Sequence, residues 1–107
     1  MTKKTGSHGV LAVLVTFACA VSFAQSSGEA AYKAKCLICH GASGQANSGI
    51  GQIMHVKPLT DPEIRKMTEA EMIEMTRNGI GKMQAWKGEL TDAQIKGSVA
   101  YFRTFLK

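Results

Sequence analysis

Cys36-Leu37-Ile38-Cys39-His40 is the stretch of sequence that decides how this chain folds. Two cysteines three positions apart, with a histidine directly after the second, form the attachment sequence for a c-type haem. Positions i, i+3 and i+4 of a helix lie on one face, so a helix here points Cys36, Cys39 and His40 the same way. We therefore predict that the two thiols bond to the vinyl groups of one haem and that the imidazole binds its iron.

The Cys-x-x-Cys spacing also occurs in redox-active disulfides and in zinc sites. A thioredoxin-like disulfide requires a βαβ context. A zinc site needs a second pair of ligands, and no cysteine follows Cys39. The motif therefore favours haem attachment, with a redox disulfide, half of a zinc site and a chance occurrence as the alternatives.

The first 24 residues have the pattern of an export signal. Lys3 and Lys4 precede an apolar run over 10–23, and Ser22 and Ala24 are the small residues of a cleavage site. We expect a cleaved signal peptide at 1–24 and a single mature domain at 25–107.

Two other readings of the N-terminal segment remain as alternatives. The apolar run is short for a bilayer span, which argues against a retained anchor. A lipoprotein would use Cys19, but the residues before it fit a lipobox poorly. We expect a soluble periplasmic protein, and cleavage leaves Cys36 and Cys39 as the only thiols, both bonded to haem.

The mature domain is mildly basic. Without Lys3 and Lys4 it has 11 Lys and Arg against 8 Asp and Glu. No dense basic run with interleaved aromatic residues is present, which excludes nucleic acid as a partner. A chain of this size is marginal for an unaided core, so we expect the protein without haem to be largely unfolded.

Helix signals recur along the mature sequence, and no strand pattern is present. Asp61-Pro62 places an N-cap before a proline at the first helical position, and Asn78-Gly79 ends a helix. The range 41–51 is rich in Gly, Ser and Asn and predicts a loop around the haem. Three S/T-x-x-E/Q capping boxes predict helix starts, at Ser26–Glu29, Thr68–Glu71 and Thr91–Gln94.

Haem iron takes a second axial ligand. Met67, Met72 and Met75 lie in predicted helices, where core packing is the commoner role of a methionine. Met83 lies in a glycine-rich loop between two capped helices, where a thioether approaches iron without helical constraint. The remaining candidates follow the haem motif closely: Met54, and His55, whose alternative is a surface histidine. The backbone carbonyl of Pro58 is a candidate acceptor for His40 Nδ1.

Three features occur in a particular order. The haem motif lies near the start of the mature chain, the pattern Gly-x-Met-x-Ala-aromatic occupies 81–86, and an aliphatic and aromatic helix is predicted at the C-terminus. Together they resemble a small bacterial class I (monohaem) cytochrome c over essentially the whole mature chain. The resemblance implies an all-α fold in which three to four short helices wrap around one covalently bound haem c.

The resemblance also implies particular residues. The first and last helices cross in that family, and Gly28 and Tyr32 match the first-helix side of the crossing against 99–102. Cys36 and Cys39 are then the covalent haem thioethers, His40 the proximal iron ligand and Met83 the distal iron ligand. One position departs from the family, because Gln84 follows the methionine where proline is usual.

The resemblance implies a soluble one-electron carrier, which is not an enzyme and has no small-molecule substrate. Thioether ligation favours ferrous iron and raises the potential. We expect a monomer that exchanges electrons with donor and acceptor redox proteins, with Lys57, Lys82 and Lys87 as candidates to steer acidic partners. The alternatives are a haem-based peroxidase or ligand-binding sensor with a labile sixth ligand, and a haem subunit of a larger oxidoreductase.

Overall fold

The structure, a computed structural model, describes residues 27–107 together with residues 2, 6, 9 and 12. The predicted signal peptide with its cleavage site, and the predicted N-cap Ser26, lie outside the described residues apart from those four positions. Within this range, no helix is long and apolar enough to cross a membrane.

Helix α1 is described from residue 27. It is α-helical over 27–31, π-helical over Tyr32–Cys36 and α-helical again over Leu37–His40. The later elements are α2 at Gly49–Ile53, α3 at Pro62–Lys66, α4 at Glu69–Asn78, α5 at Asp92–Arg103 and a 3-10 turn at Thr104–Leu106. The described residues contain no strand, which confirms the all-α fold.

Local hydrogen bonds start the later helices where the sequence predicts. Thr68 and Glu71 form a complete capping box at α4. Thr91 and Gln94 form another at α5. The Asp61 side chain accepts from the Glu63 N–H at 2.9 Å, with proline at the first position of α3. Each cap satisfies a backbone N–H that the first helical turn leaves without a partner.

Helix α2 is a correction to the predicted loop over 41–51, because it begins inside that range. Its glycine-rich sequence has a low helix propensity. The Ser48 hydroxyl caps it by accepting from the Gly51 N–H at 3.0 Å and also donates to the Ile38 carbonyl at 2.7 Å. Contact with α1 therefore stabilises a helix that composition alone did not indicate, so the fold has more helices than the three to four predicted.

The first and last helices cross, as expected. A β-carbon added at Gly28 would overlap the carbonyl group of Gly97 and lie 2.8 Å from its Cα. One turn further along α1, Tyr32 is 1% exposed and its ring centroid lies 5.3 Å from that of Tyr101 and 5.9 Å from that of Phe102. The small residue at the crossing lets the aromatic rings beside it close into a cluster.

A second group of buried side chains joins α4 and α5 to the segment after α2. Leu59, Met72 and Val99 are its buried members. The guanidinium of Arg103 donates to the Met67 carbonyl at 3.0 Å. This cluster anchors α4, the helix from whose end the Met83 loop departs.

Candidate functional site

The three residues of the haem motif lie at the C-terminal end of α1. The N–H of Leu37 donates to the carbonyl of Tyr32, five residues back, so the π-helical segment ends where the motif begins. Cys36 and Cys39 are half-buried free thiols. The helix continues from Leu37 to His40, so Cys36, Cys39 and His40 are presented from one helix end at the predicted spacing.

The surroundings of Cys36 bear on the alternatives for Cys-x-x-Cys. Burial, with a smaller contribution from Cys39, raises the pKa of the Cys36 thiol to about 11. Redox-active and zinc-binding cysteines are instead found where the surroundings lower the thiol pKa. No three His, Cys, Asp or Glu side chains of the described residues group together to hold a metal ion. The half-buried Cys36 thiol is therefore kept neutral, which is unlike the activated cysteine of a redox disulfide.

His40 has the properties of an iron ligand. Burial lowers the pKa of its imidazole, so the ring is neutral at neutral pH and keeps a lone pair for a metal. Its Nδ1 is enclosed by protein and has no hydrogen-bond partner. The ring packs edge-on against Phe102, with centroids 5.3 Å apart. With Nδ1 enclosed, Nε2 is the nitrogen available to iron, and the donor set fits a haem.

The predicted hydrogen bond from His40 Nδ1 to the Pro58 carbonyl is not formed. The Pro58 carbonyl instead accepts from the Asp61 N–H at 2.9 Å. That bond closes the turn that leads into α3, and it sets the direction of the carbonyl. Local turn geometry therefore decides the partner of this carbonyl.

The main chain around His40 is held on both sides. The His40 carbonyl accepts from the Ala46 N–H at 2.8 Å. Gly41 has a φ of +81°, and an added β-carbon would lie 2.7 Å from Asn47 Oδ1, so this position requires glycine. The Gly41 carbonyl accepts from the Tyr32 hydroxyl at 2.6 Å. The sequence did not predict this bond. The one indication in the sequence is that a tyrosine placed in the helix crossing needs a hydrogen-bond partner for its hydroxyl.

Helix α2 supports the motif from outside. Ser48 Oγ donates to the Ile38 carbonyl between the two cysteines at 2.7 Å. A β-carbon at Gly51 would overlap the Cys39 carbonyl oxygen, so the two backbones are in direct contact. Ser48 and Gly51 are therefore functional neighbours of the motif that the loop prediction did not identify.

Met83 lies on a separate segment, between α4 and α5, and is half-buried. It forms an isolated bridge with Ile80, through N–H to carbonyl bonds of 2.9 and 3.0 Å in the two directions. The following chain is fastened to the end of α4, where the Trp86 N–H donates to the Thr76 carbonyl at 3.1 Å. Gln84 Nε2 donates to Glu89 Oε1 at 2.9 Å. The residue that replaces the usual proline is thus itself part of an ordered turn.

The other candidates for the second iron ligand have different surroundings. Met72 is 6% exposed in the helical core, and Met67 packs against the same cluster. His55 is exposed, with a φ of +53°. Met54 and Met75 are half-buried. No contact in the structure assigns the second ligand, so Met83 stays a prediction.

The three lysines named from the sequence differ in their partners. Lys57 forms an exposed ion pair with Glu63. Lys82 and Lys87 are exposed, and neither takes part in an ion pair within the described residues. Lys82 and Lys87 flank Met83, so the net positive charge of this loop faces solvent.

The chain is similar to proteins of known type. A family model described as "Cytochrome C oxidase, cbb3-type, subunit III" matches residues 23–102, a range that includes all four predicted haem-binding residues. Among solved structures, the KustC0563 c-type cytochrome is similar, with a TM-score of 0.65 and 28% sequence identity. The similarity covers 73% of this chain and 95% of that chain. A comparison with curated proteins finds no match.

Proposed function

Because the chain belongs to the c-type cytochrome family whose model it matches, we propose that it is a soluble one-electron carrier. A c-type cytochrome domain holds covalently bound haem c and transfers electrons. The observation that carries the proposal is the presentation of Cys36, Cys39 and the neutral, half-buried His40 imidazole from one helix end.

The residues of this chain have distinct parts in that function. Haem iron, when bound, supplies the reversible change between ferric and ferrous states. Cys36 and Cys39 would hold the macrocycle through thioether bonds, and His40 would bind iron through Nε2. The crossing of α1 and α5 keeps these residues in one arrangement, which suits a centre that exchanges only an electron.

Met83 is the proposed second ligand. Its turn is closed by the bridge to Ile80 and tied to α4 through Trp86, so its position is fixed before a ligand bond forms. A thioether favours ferrous iron, and two protein ligands leave no site for substrate or gas. An ordered turn argues against the labile sixth ligand that a peroxidase or sensor requires.

We further propose a periplasmic monomer that meets acidic surfaces of its redox partners. The sequence pattern of 1–24 supports export. Lys82 and Lys87 support an electrostatic encounter at the Met83 loop, since exposed charge raises association rates at low salt.

A second candidate is a haem subunit of a larger oxidase, and the description of the family model favours it. A carrier purifies as a free monomer, whereas a subunit purifies at fixed stoichiometry with its oxidase. Size-exclusion chromatography of protein from native membranes and periplasm separates the two.

The optical spectrum tests the proposed ligands. We expect low-spin ferric protein with a weak charge-transfer band near the red end of the spectrum, which Met83→Ala abolishes. Met75→Ala is the matched control and retains the band, because Met75 is a half-buried residue of α4. A band that survives Met83→Ala contradicts the assignment.

A further inference from the structure

Tyr32 forms two hydrogen bonds with the main chain at the haem motif. Its carbonyl accepts from the N–H of Leu37, directly after Cys36, and its hydroxyl donates to the carbonyl of Gly41, directly after His40. Leu37 lies inside the motif and Gly41 directly after it, so Tyr32 is bonded to the main chain at both points. No other side chain of the described residues is hydrogen-bonded to the Gly41 carbonyl.

The hydroxyl of Tyr32 has a specific role, because phenylalanine offers the same ring without it. Tyr32 is 1% exposed, and a buried hydroxyl without a partner costs stability. Burial also raises the pKa of Tyr32, so its hydroxyl keeps the proton that it donates throughout the neutral range. The bond to Gly41 is 2.6 Å long.

Both contacts of Tyr32 lead to His40. Gly41 follows His40 directly and has a φ of +81°. Its carbonyl, just beyond the end of α1, accepts from the Tyr32 hydroxyl at 2.6 Å and from the Gly44 N–H at 3.4 Å. The Tyr32 ring stacks on the Phe102 ring, with centroids 5.9 Å apart and an interplanar angle of 26°. The Phe102 ring also packs edge-on against the His40 ring, with centroids 5.3 Å apart. The imidazole has no hydrogen bond at Nδ1 to set its rotation.

We propose that Tyr32 is a positioning residue that sets the orientation of the His40 ring, through its hydrogen bond to Gly41 and its stacking on Phe102. This inference rests on the proposed haem site. Most proximal histidines are oriented through a hydrogen bond at their second nitrogen. Tyr32 would act in addition, through the main chain after His40 and through the Phe102 ring that packs against the imidazole.

The test is the proton NMR spectrum of the ferric holoprotein, because the spread of the haem methyl resonances reports the direction of the axial ligands. Tyr32→Phe keeps the ring and removes the hydroxyl. We expect it to retain haem and its charge-transfer band and to change the spread of the methyl resonances. Tyr101→Phe is the matched control, since it makes the same change in the same aromatic cluster away from Gly41, and we expect a wild-type spread.

Each outcome decides the matter. Unchanged methyl resonances in Tyr32→Phe, or equal changes in both variants, overturn the proposal. Where Tyr32→Phe takes up no haem, the wild-type protein supplies the test, because a buried, bonded hydroxyl gives a slowly exchanging proton resonance. Absence of that resonance overturns the proposal. A high-spin wild-type spectrum instead contradicts Met83 ligation. The comparison of Tyr32→Phe with Tyr101→Phe still tests the role of Tyr32 in that case.

Discussion

Gly79 lies directly against the backbone of Met83, since a β-carbon at residue 79 would be 2.8 Å from the Met83 carbonyl oxygen and 2.8 Å from the Ala85 nitrogen. The φ of Gly79 is +78°. The end of α4 and the turn that carries Met83 therefore pack backbone to backbone. The position of Met83, the proposed second ligand, therefore depends on the absence of a side chain at Gly79.

Gly79→Ala is expected to displace Met83. The new methyl group collides with backbone atoms, which cannot rotate away, and the positive φ adds strain. We expect the charge-transfer band of the ferric protein to be lost or strongly weakened. Gly81→Ala is the control, because Gly81 also has a positive φ, of +54°, but no atom lies within 4 Å of its added β-carbon. The account is wrong if both variants keep the band.

Gly28→Ala is expected to lower the stability of the holoprotein. Its β-carbon would overlap the Gly97 carbonyl, so the crossing helices must separate. Overpacking of this kind costs roughly 1–3 kcal/mol. Gly88→Ala, where no atom lies within 4 Å, should stay close to wild type. Urea unfolding followed by circular dichroism measures both, and equal midpoints contradict the tight crossing.

High pH is expected to weaken the fold through Tyr32. Burial raises the pKa of its hydroxyl above the ordinary value of 10.0, so above that pH the folded chain holds a proton that the unfolded chain has released. This contribution to the free energy of unfolding is complete below pH 10.0 and falls as the pH rises further. Urea midpoints at several alkaline pH values measure the loss.

The matched pair Tyr32→Phe and Tyr101→Phe isolates the source of that loss. Tyr32→Phe should show a shallower decline of stability with pH, since the buried hydroxyl is gone. Tyr101→Phe should decline as wild type does. If the urea midpoint falls equally with pH in the wild type and in both variants, Tyr32 is not the cause of the loss.

Removal of the haem attachment is expected to unfold most of the chain. Among the described residues, eight hydrophobic side chains are buried, three of them in the cluster of Leu59, Met72 and Val99, and a domain of about 80 residues is marginal without further apolar surface. The double substitution Cys36→Ser with Cys39→Ser should lose helical circular dichroism. Met83→Ala, which leaves the thioether bonds, should stay folded. A cooperative thermal transition in the double variant would show that the core suffices alone.

Local signals predicted much of this structure. The caps at Thr68 and Thr91 act within four residues, so sequence spacing is enough to place the helix starts. The crossing of α1 and α5 followed from the resemblance, through Gly28 and Tyr32. The haem motif is specific because its chemistry demands both thiols and the imidazole in one short stretch.

What the sequence did not predict depends on contacts between distant segments. Helix α2 is stabilised by the hydrogen bond from the Ser48 hydroxyl to the Ile38 carbonyl, ten residues earlier. The Tyr32 to Gly41 bond joins residues nine apart, from the start of the π-helical segment to a glycine of positive φ. Likewise, the Pro58 carbonyl accepts a hydrogen bond from the Asp61 N–H in a turn. Sequence spacing did not predict that turn.

We propose that the chain carries single electrons on a haem held by Cys36, Cys39 and His40. The most direct test is an optical redox titration of the purified holoprotein. We expect a reversible one-electron transition between low-spin ferric and low-spin ferrous spectra. A high-spin ferric spectrum would contradict this proposal. Rapid binding of carbon monoxide to the ferrous protein would also contradict it, because it shows an open position at the iron.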